Sequence, residues 1–212
     1  MTLIPHRPPA LLKLIFPTLL WRMQEHEHSI YLTLDDGPVP GPTEFVLDTL
    51  KKFQVNATFF CIGENIQKHP SVYQEIVAAG HSIGNHTFNH LKGWATPGEK
   101  YVENVKQCDA MLSSTSQHVS QSHTLFRPPY GRITYQQIKL LHQYRIVMWD
   151  VLSLDYRQTG SVDKLLSGTI KATRPGSIVV FHDSLKAEKK LRFMLPRFLE
   201  HFSNLGFQFK SL

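Results

Sequence analysis

Ionisable residues in this chain collect where apolar runs end. Asp35-Asp36 closes the run 29–34, His86 and His90 follow 81–84, and Arg127 ends the run that starts at Leu125. Asp150 and Asp155 come after Ile146-Val147-Met148, and His182-Asp183 closes Ile178-Val179-Val180-Phe181. One carboxylate and two imidazoles make an N,N,O donor set that leaves positions open for water and substrate on a divalent metal. Such a metal acidifies bound water and polarises a carbonyl. A second carboxylate would take the proton of that water, and a further histidine would protonate a leaving nitrogen. Together these are the parts of metal-assisted hydrolysis of an amide or ester.

Each part alone carries little. A His-x3-His pair arises by chance roughly 0.7 times in a chain with this many histidines. Its setting, Gly84-Asn85-His86-Thr87-Phe88-Asn89-His90, is a polar loop and a poor place for two core histidines. Adjacent Asp35 and Asp36 repel each other, so one needs a cation, protein or metal, while the other stays free to exchange protons. The plain alternative is a solvated turn into Gly37-Pro38. Arg127-Pro128-Pro129-Tyr130-Gly131 is a stiff loop, its prolines fixing φ and Gly131 permitting a turn. His182 is either a satisfied core histidine or a catalytic one at a rim.

Apolar runs alternate with helical patterns. Strands are expected at 29–34, 57–62, 81–84, 125–127, 145–149, 177–181 and 207–212. Helices are expected at 43–53, 71–79, from the box Thr96-Pro97-Gly98-Glu99 to about residue 112, 134–144, 161–173, and 186–205 with a break at Pro196. Gln137 takes the reciprocal capping position of the helix at 134. Near-continuous apolar strands between helices imply a parallel sheet covered on both faces. An open doubly wound sheet would gather ionisable groups at one switch point. Delivery from five separate strands favours a closed α/β barrel with its site at the C-terminal rim.

The chain has 212 residues, 42% apolar and 19% charged, which suits one domain. Its net charge of +6 is spread out and densest at Lys186, Lys189, Lys190, Arg192 and Arg197, a solvated helix face with a docking patch for an acidic polymer as the alternative, and no nucleic-acid motif accompanies it. Cys61 and Cys108 fit no metal or redox spacing, and Cys61 sits in an apolar run as a buried thiol. Residues 10–21 are apolar but too short to span a membrane, and Lys13 and Pro17 interrupt them. No small-residue cleavage site follows, which points to the cytoplasm, with a peripheral or exported location as the alternatives. Residues 1–27 are therefore expected to form an amphipathic extension packed on the body through Leu12, Ile15, Phe16 and Leu19, with peripheral membrane contact as the alternative.

The ordered segments Thr33-Leu34-Asp35-Asp36-Gly37-Pro38, His86-Thr87-Phe88-Asn89-His90, Arg127-Pro128-Pro129-Tyr130-Gly131, Asp155-Tyr156 and Val180-Phe181-His182-Asp183 resemble the polysaccharide deacetylases with a NodB homology domain, carbohydrate esterase family 4. The resemblance covers residues 28–212. It implies a distorted (β/α)7 TIM-like barrel, and removal of N-acetyl groups from an amino-sugar polymer such as peptidoglycan or chitin. It further implies that Asp35 is the general base and that Asp36, His86 and His90 hold a divalent metal, zinc foremost, with cobalt, nickel or manganese also suited. Arg127 would orient Asp35, the Tyr130 N–H would stabilise the oxyanion, and His182, tuned by Asp155, would be the general acid. Asp150 is given a supporting role. Pro128, Trp94 and Tyr156 are candidate substrate-binding residues, the aromatic ones suited to stacking on sugar rings. Leu34 stands where the family usually has Phe, a packing exchange, and Tyr156 stands where Trp is common, which bears on substrate preference. The competing readings are a hydrolase of the same fold acting on a non-sugar amide or imide, and a non-catalytic carbohydrate-binding relative. No ionisable position of the motifs is lost.

Overall fold

The computed structural model describes residues 5–24, 28–114 and 125–212. Eight parallel strands form one sheet: β1 (Ser29–Asp35), β2 (Thr58–Cys61), β3 (Ser82–Asn85), β4 (Leu125–Phe126), β5 (Arg145–Ile146), β6 (Val151–Leu152), β7 (Ile178–His182) and β8 (Gln208–Lys210). Their order is β5-β4-β3-β2-β1-β7-β6, with β8 added beside the first half of β1. This is a distorted barrel, open between β5 and β6. Leu19–Met23 runs across that opening: the Leu20 N–H donates to Ile146, the Met148 N–H to Leu20, and the Met23 N–H to Gly176. Every residue of β1 is buried, as a strand covered on both faces requires.

Helices α1 (Ala10–Ile15), α2 (Pro42–Phe53), α3 (Gly63–Lys68), α4 (Pro70–Ala78), α5 (Gly98–Ser114), α6 (Tyr135–Leu140), α7 (Val162–Ala172) and α8 (Glu188–Asn204) accompany the sheet. Proline opens α2 and α4, where the missing N–H costs nothing. Thr134 and Gln137 close a reciprocal capping box at α6. The expected box at Thr96 does not form; the Thr96 hydroxyl donates to the Lys92 carbonyl and α5 begins at Gly98. Nor does α8 break at Pro196. An interior proline costs about 3 kcal/mol, but Leu191, Met194, Leu195, Phe198, Leu199 and Phe202 are all buried along this helix. At about 1.5–3 kcal/mol per large apolar side chain, burial outweighs the proline.

Two other expectations change. Asp150 does not end a strand. It precedes β6, at the N-terminal end of β7, where its carboxylate accepts from Ser177 (2.8 Å), Lys13 (2.6 Å) and Arg174 (3.2 Å). Burial alone would raise its pKa, but these three partners lower it. Asp150 therefore braces the end of the barrel opposite the rim. The Lys13–Asp150 pair also turns the charged side of α1 inward. Leu11, Leu12, Leu14 and Ile15 stay exposed, and it is residues beyond the helix, Phe16, Leu19, Leu20, Trp21 and Met23, that pack inward. Among the described residues, no helix is long and apolar enough to cross a membrane.

Candidate active site

Because the strands are parallel, their C-terminal ends share one rim. Asp35 is the last residue of β1 and lies in register with His182, the last of β7. His86 follows β3, Arg127 follows β4, and Asp155 lies three residues beyond β6. Among the described residues, six non-glycine residues have positive φ, and five of them, Asp36 (83°), Thr87 (64°), His90 (55°), Tyr130 (60°) and Leu154 (63°), lie in the rim loops. Backbone in this region is costly for side chains bearing a Cβ and persists where surrounding structure enforces it.

Asp36, His86 and His90 bring three donor atoms within 4.8 Å of one another. Asp36 Oδ1 lies 3.2 Å from His90 Nε2 and 3.7 Å from His86 Nε2. His86 Nδ1 pairs with the Arg127 carbonyl at 2.8 Å, so its proton sits there and the Nε2 lone pair faces Asp36. Burial lowers the His86 pKa to about 4, leaving the ring neutral at pH 7. The Asn65 amide donates to the Asp36 carbonyl (2.7 Å), fixing the strained loop from the side of α3. Asp183 fixes it from below, accepting from the Gly37 N–H (3.1 Å) and the Thr43 hydroxyl (2.6 Å). A Cβ on Gly37 would overlap the Asp183 carboxylate, so glycine is required there. Burial, reinforced by the charge of Asp36, raises the Asp183 pKa to about 8 despite those two hydrogen bonds.

Arg127 is fully buried. It donates to Asp35 Oδ1 (2.6 Å), Thr33 (2.7 Å) and the carbonyls of Met148 (2.9 Å) and Val147 (3.3 Å), with its guanidinium 4.1 Å from the centre of the Phe60 ring. Asp35 Oδ2 accepts no hydrogen bond among the described residues, and Asp35 lines the cleft. Across the rim, Asp155 is buried and accepts from both the ring Nδ1 (2.7 Å) and the backbone N–H (2.8 Å) of His182. Burial pulls the His182 pKa down, but the charge and hydrogen bond of Asp155, helped by Asp36 and Asp35, raise it to about 9.

These groups face a cleft of about 770 Å³. Pro128, Tyr130 and Tyr156 line it, with Tyr130 4.6 Å from the His90 ring and Tyr156 4.9 Å from the His182 ring, centre to centre. Among the described residues, the Tyr130 N–H has no hydrogen-bond acceptor, whereas those of Gly131 and Arg132 close turns. Trp94 corrects the sequence reading: it lies outside the cleft lining, two-thirds exposed, with its indole N–H on the Ile133 carbonyl. The tryptophan that lines the cleft is Trp149, beside Leu152, Val180 and Leu185. Val180 belongs to the segment Val180-Phe181-His182-Asp183, whereas Trp149, Leu152, Leu185 and Asn65 carried no motif. The one available signal for Trp149 and Leu152 was position: Trp149 closes the expected strand at 145–149, and Leu152 ends β6.

The sequence model for polysaccharide deacetylases matches residues 22–149. The chain belongs to the polysaccharide deacetylase family. It is 30% identical over 196 residues to a peptidoglycan-N-acetylglucosamine deacetylase of Bacillus cereus, covering 91% of this chain and 90% of that one. A second such enzyme of the same organism is 32% identical over 157 residues, but this chain spans only 56% of its length. A chitooligosaccharide deacetylase of Azorhizobium caulinodans is 32% identical over 164 residues, covering 76% and 77%. Among solved structures, a peptidoglycan N-acetylglucosamine deacetylase in complex with an N-hydroxybenzamide superposes with a TM-score of 0.86 at 26% identity, covering 94% of both chains. A carbohydrate esterase family 4 pseudoenzyme from Bacillus anthracis shares the fold, with a TM-score of 0.80 at 21% identity, covering 91% of this chain and 66% of that one.

Proposed function

We propose that this chain is a divalent-metal-dependent deacetylase that hydrolyses N-acetyl groups on the amino sugars of a glycan and releases acetate. The observation that carries the reading is the convergence of Asp36, His86 and His90 donor atoms beside a paired Asp35 and a paired His182. Two imidazole nitrogens and a carboxylate oxygen fit a divalent ion, with zinc foremost and cobalt, nickel or manganese also suited. Held there, the ion would supply acidified water and a polarised acyl carbonyl.

The protein groups account for the proton traffic. Arg127 occupies Oδ1 of Asp35 and leaves Oδ2 to accept the proton of the attacking water. His182 commits its Nδ1 proton to Asp155, so Nε2 is the atom that protonates the leaving amine. A pKa well above neutrality keeps that proton in place at pH 7. The unpaired Tyr130 N–H is placed to donate to the developing oxyanion. Trp149, Leu152 and Val180 give the cleft an apolar wall suited to an acetyl methyl group.

The test is acetate release by metal-reconstituted protein from chitin oligomers, peptidoglycan fragments, acetylated xylan and small amides. Release from the N-acetylated glycans is expected. Turnover confined to small amides would replace the glycan reading with the non-sugar one, and turnover of nothing would favour a binding relative.

A further inference from the structure

The walls of the cleft differ in charge from its floor. Among the described lining residues, the only acids are Asp35 and Asp36, both on the floor, the first paired with Arg127 and the second facing two imidazoles. The solvent-exposed part of the lining carries Lys68, Arg132 and Lys186. Lys68 is paired with Glu64 at 2.9 Å. Arg132, Lys186 and also Lys92 have no carboxylate partner among the described residues. Each lies over an aromatic ring at or beside the cleft: Lys92 over Tyr130 (5.3 Å), Arg132 over Trp94 (5.3 Å) and Lys186 over Tyr156 (5.6 Å). The rings restrain the cations without neutralising them.

From this arrangement, and resting on the deacetylase reading of the same cleft, we propose that Lys92, Arg132 and Lys186 select an N-acetylated glycan that carries carboxylates over a neutral one. Peptidoglycan carries them on its peptide stems, or on the lactyl groups of sugars without a stem; a chitooligosaccharide has none. The Debye length at physiological salt is about 8 Å, so a carboxylate that comes within that distance of one of these cations is attracted without direct contact. A neutral chain offers these cations only hydroxyl and amide acceptors and no opposite charge, while still displacing water from them. Complementary charge of this kind raises encounter rate and discriminates between partners more than it adds raw affinity.

The experiment compares chitotetraose with a tetrasaccharide of alternating N-acetylglucosamine and N-acetylmuramic acid. Binding is read by tryptophan fluorescence and turnover by acetate release, each at low and high salt. The intact protein is expected to favour the acidic oligomer by about tenfold at low salt, and less at high salt. The combined variant Lys92→Gln, Arg132→Gln, Lys186→Gln is expected to bring the ratio near one, while the charge-keeping variant Lys92→Arg, Arg132→Lys, Lys186→Arg retains it. Should the triple variant fail to fold, Arg132→Gln alone is expected to lower the ratio about twofold. A ratio near one in the intact protein, or one that the Gln substitutions leave unchanged, overturns the inference. Selective binding without acetate release would overturn the deacetylase reading while leaving this inference standing. Release from both oligomers with equal efficiency would do the reverse.

Discussion

Replacing Asp155 with asparagine removes one negative charge from the most strongly coupled histidine at the rim. The His182 pKa of about 9, against an ordinary 6.5, corresponds to about 3 kcal/mol of net preference for the imidazolium. Burial works against that preference, so the acids contribute more than the net figure, and Asp155, in contact through two hydrogen bonds, leads them. Asp155→Asn keeps the shape and loses the charge, and the pKa is expected to fall to about 6.5 or below. At pH 8 the protonated fraction then drops about thirtyfold, and turnover falls with it. A divalent cation beside Asp36 would lower both values, so the cleanest assay is an NMR titration of the His182 ring in metal-free protein, followed by the pH profile of acetate release in the reconstituted enzyme. Linkage gives an independent check. A histidine with a raised folded pKa stabilises fully below about pH 6.5 and loses that contribution as pH rises through about 9. The melting-temperature gap between the intact protein and the variant should therefore close above pH 9. An alkaline limb at the same pH in both proteins would refute the pairing as the source of the proton.

Asp36→Ala is expected to abolish metal binding and activity together; stoichiometric metal retained in isothermal titration would refute the ligand assignment. Arg127→Ala leaves Asp35 buried without its partner and is expected to cost about 3–5 kcal/mol in urea melts. The accompanying loss of turnover should be partly recovered at higher pH, and a pH-independent loss would point to disruption of the proline loop instead. Gly37→Ala drives a methyl group into the Asp183 carboxylate and displaces the loop bearing Asp36, so metal affinity should fall about tenfold or more. Unchanged affinity would show that the loop tolerates the shift.

The sequence was most informative where chemistry and chain punctuation coincide. Asp35-Asp36 before Gly37-Pro38, and His182-Asp183 at the end of a continuous apolar run, marked strand ends that the parallel sheet carries to one rim. Asp150 misled because β5 and β6 are only two residues each; with no period to read, the chain between them passed for one strand, and its aspartate was assigned to the wrong end of the barrel. Helix α3 escaped for a similar reason, since Gly63–Lys68 has one fully buried apolar side chain, Ile66, and no repeat. The apolar spacing in α1 pointed to packing, but a single ion pair to the buried Asp150 set the orientation of that short helix. Trp94 and Trp149 could not be ranked by type alone, because both are tryptophans near strand or turn boundaries and only the fold shows which faces the cleft. Asn65 and Thr43 act through backbone and carboxylate contacts made across the fold, which leave no local pattern.

The proposed chemistry requires Asp36, His86 and His90 to hold one divalent ion at the C-terminal mouth of the barrel. Crystals grown with zinc and measured at the zinc absorption edge reveal whether they do. One strong anomalous peak is expected at about 2.0–2.2 Å from Asp36 Oδ1 and both Nε2 atoms. A peak held by other residues, or zinc-containing crystals with no peak at these three, would contradict that requirement.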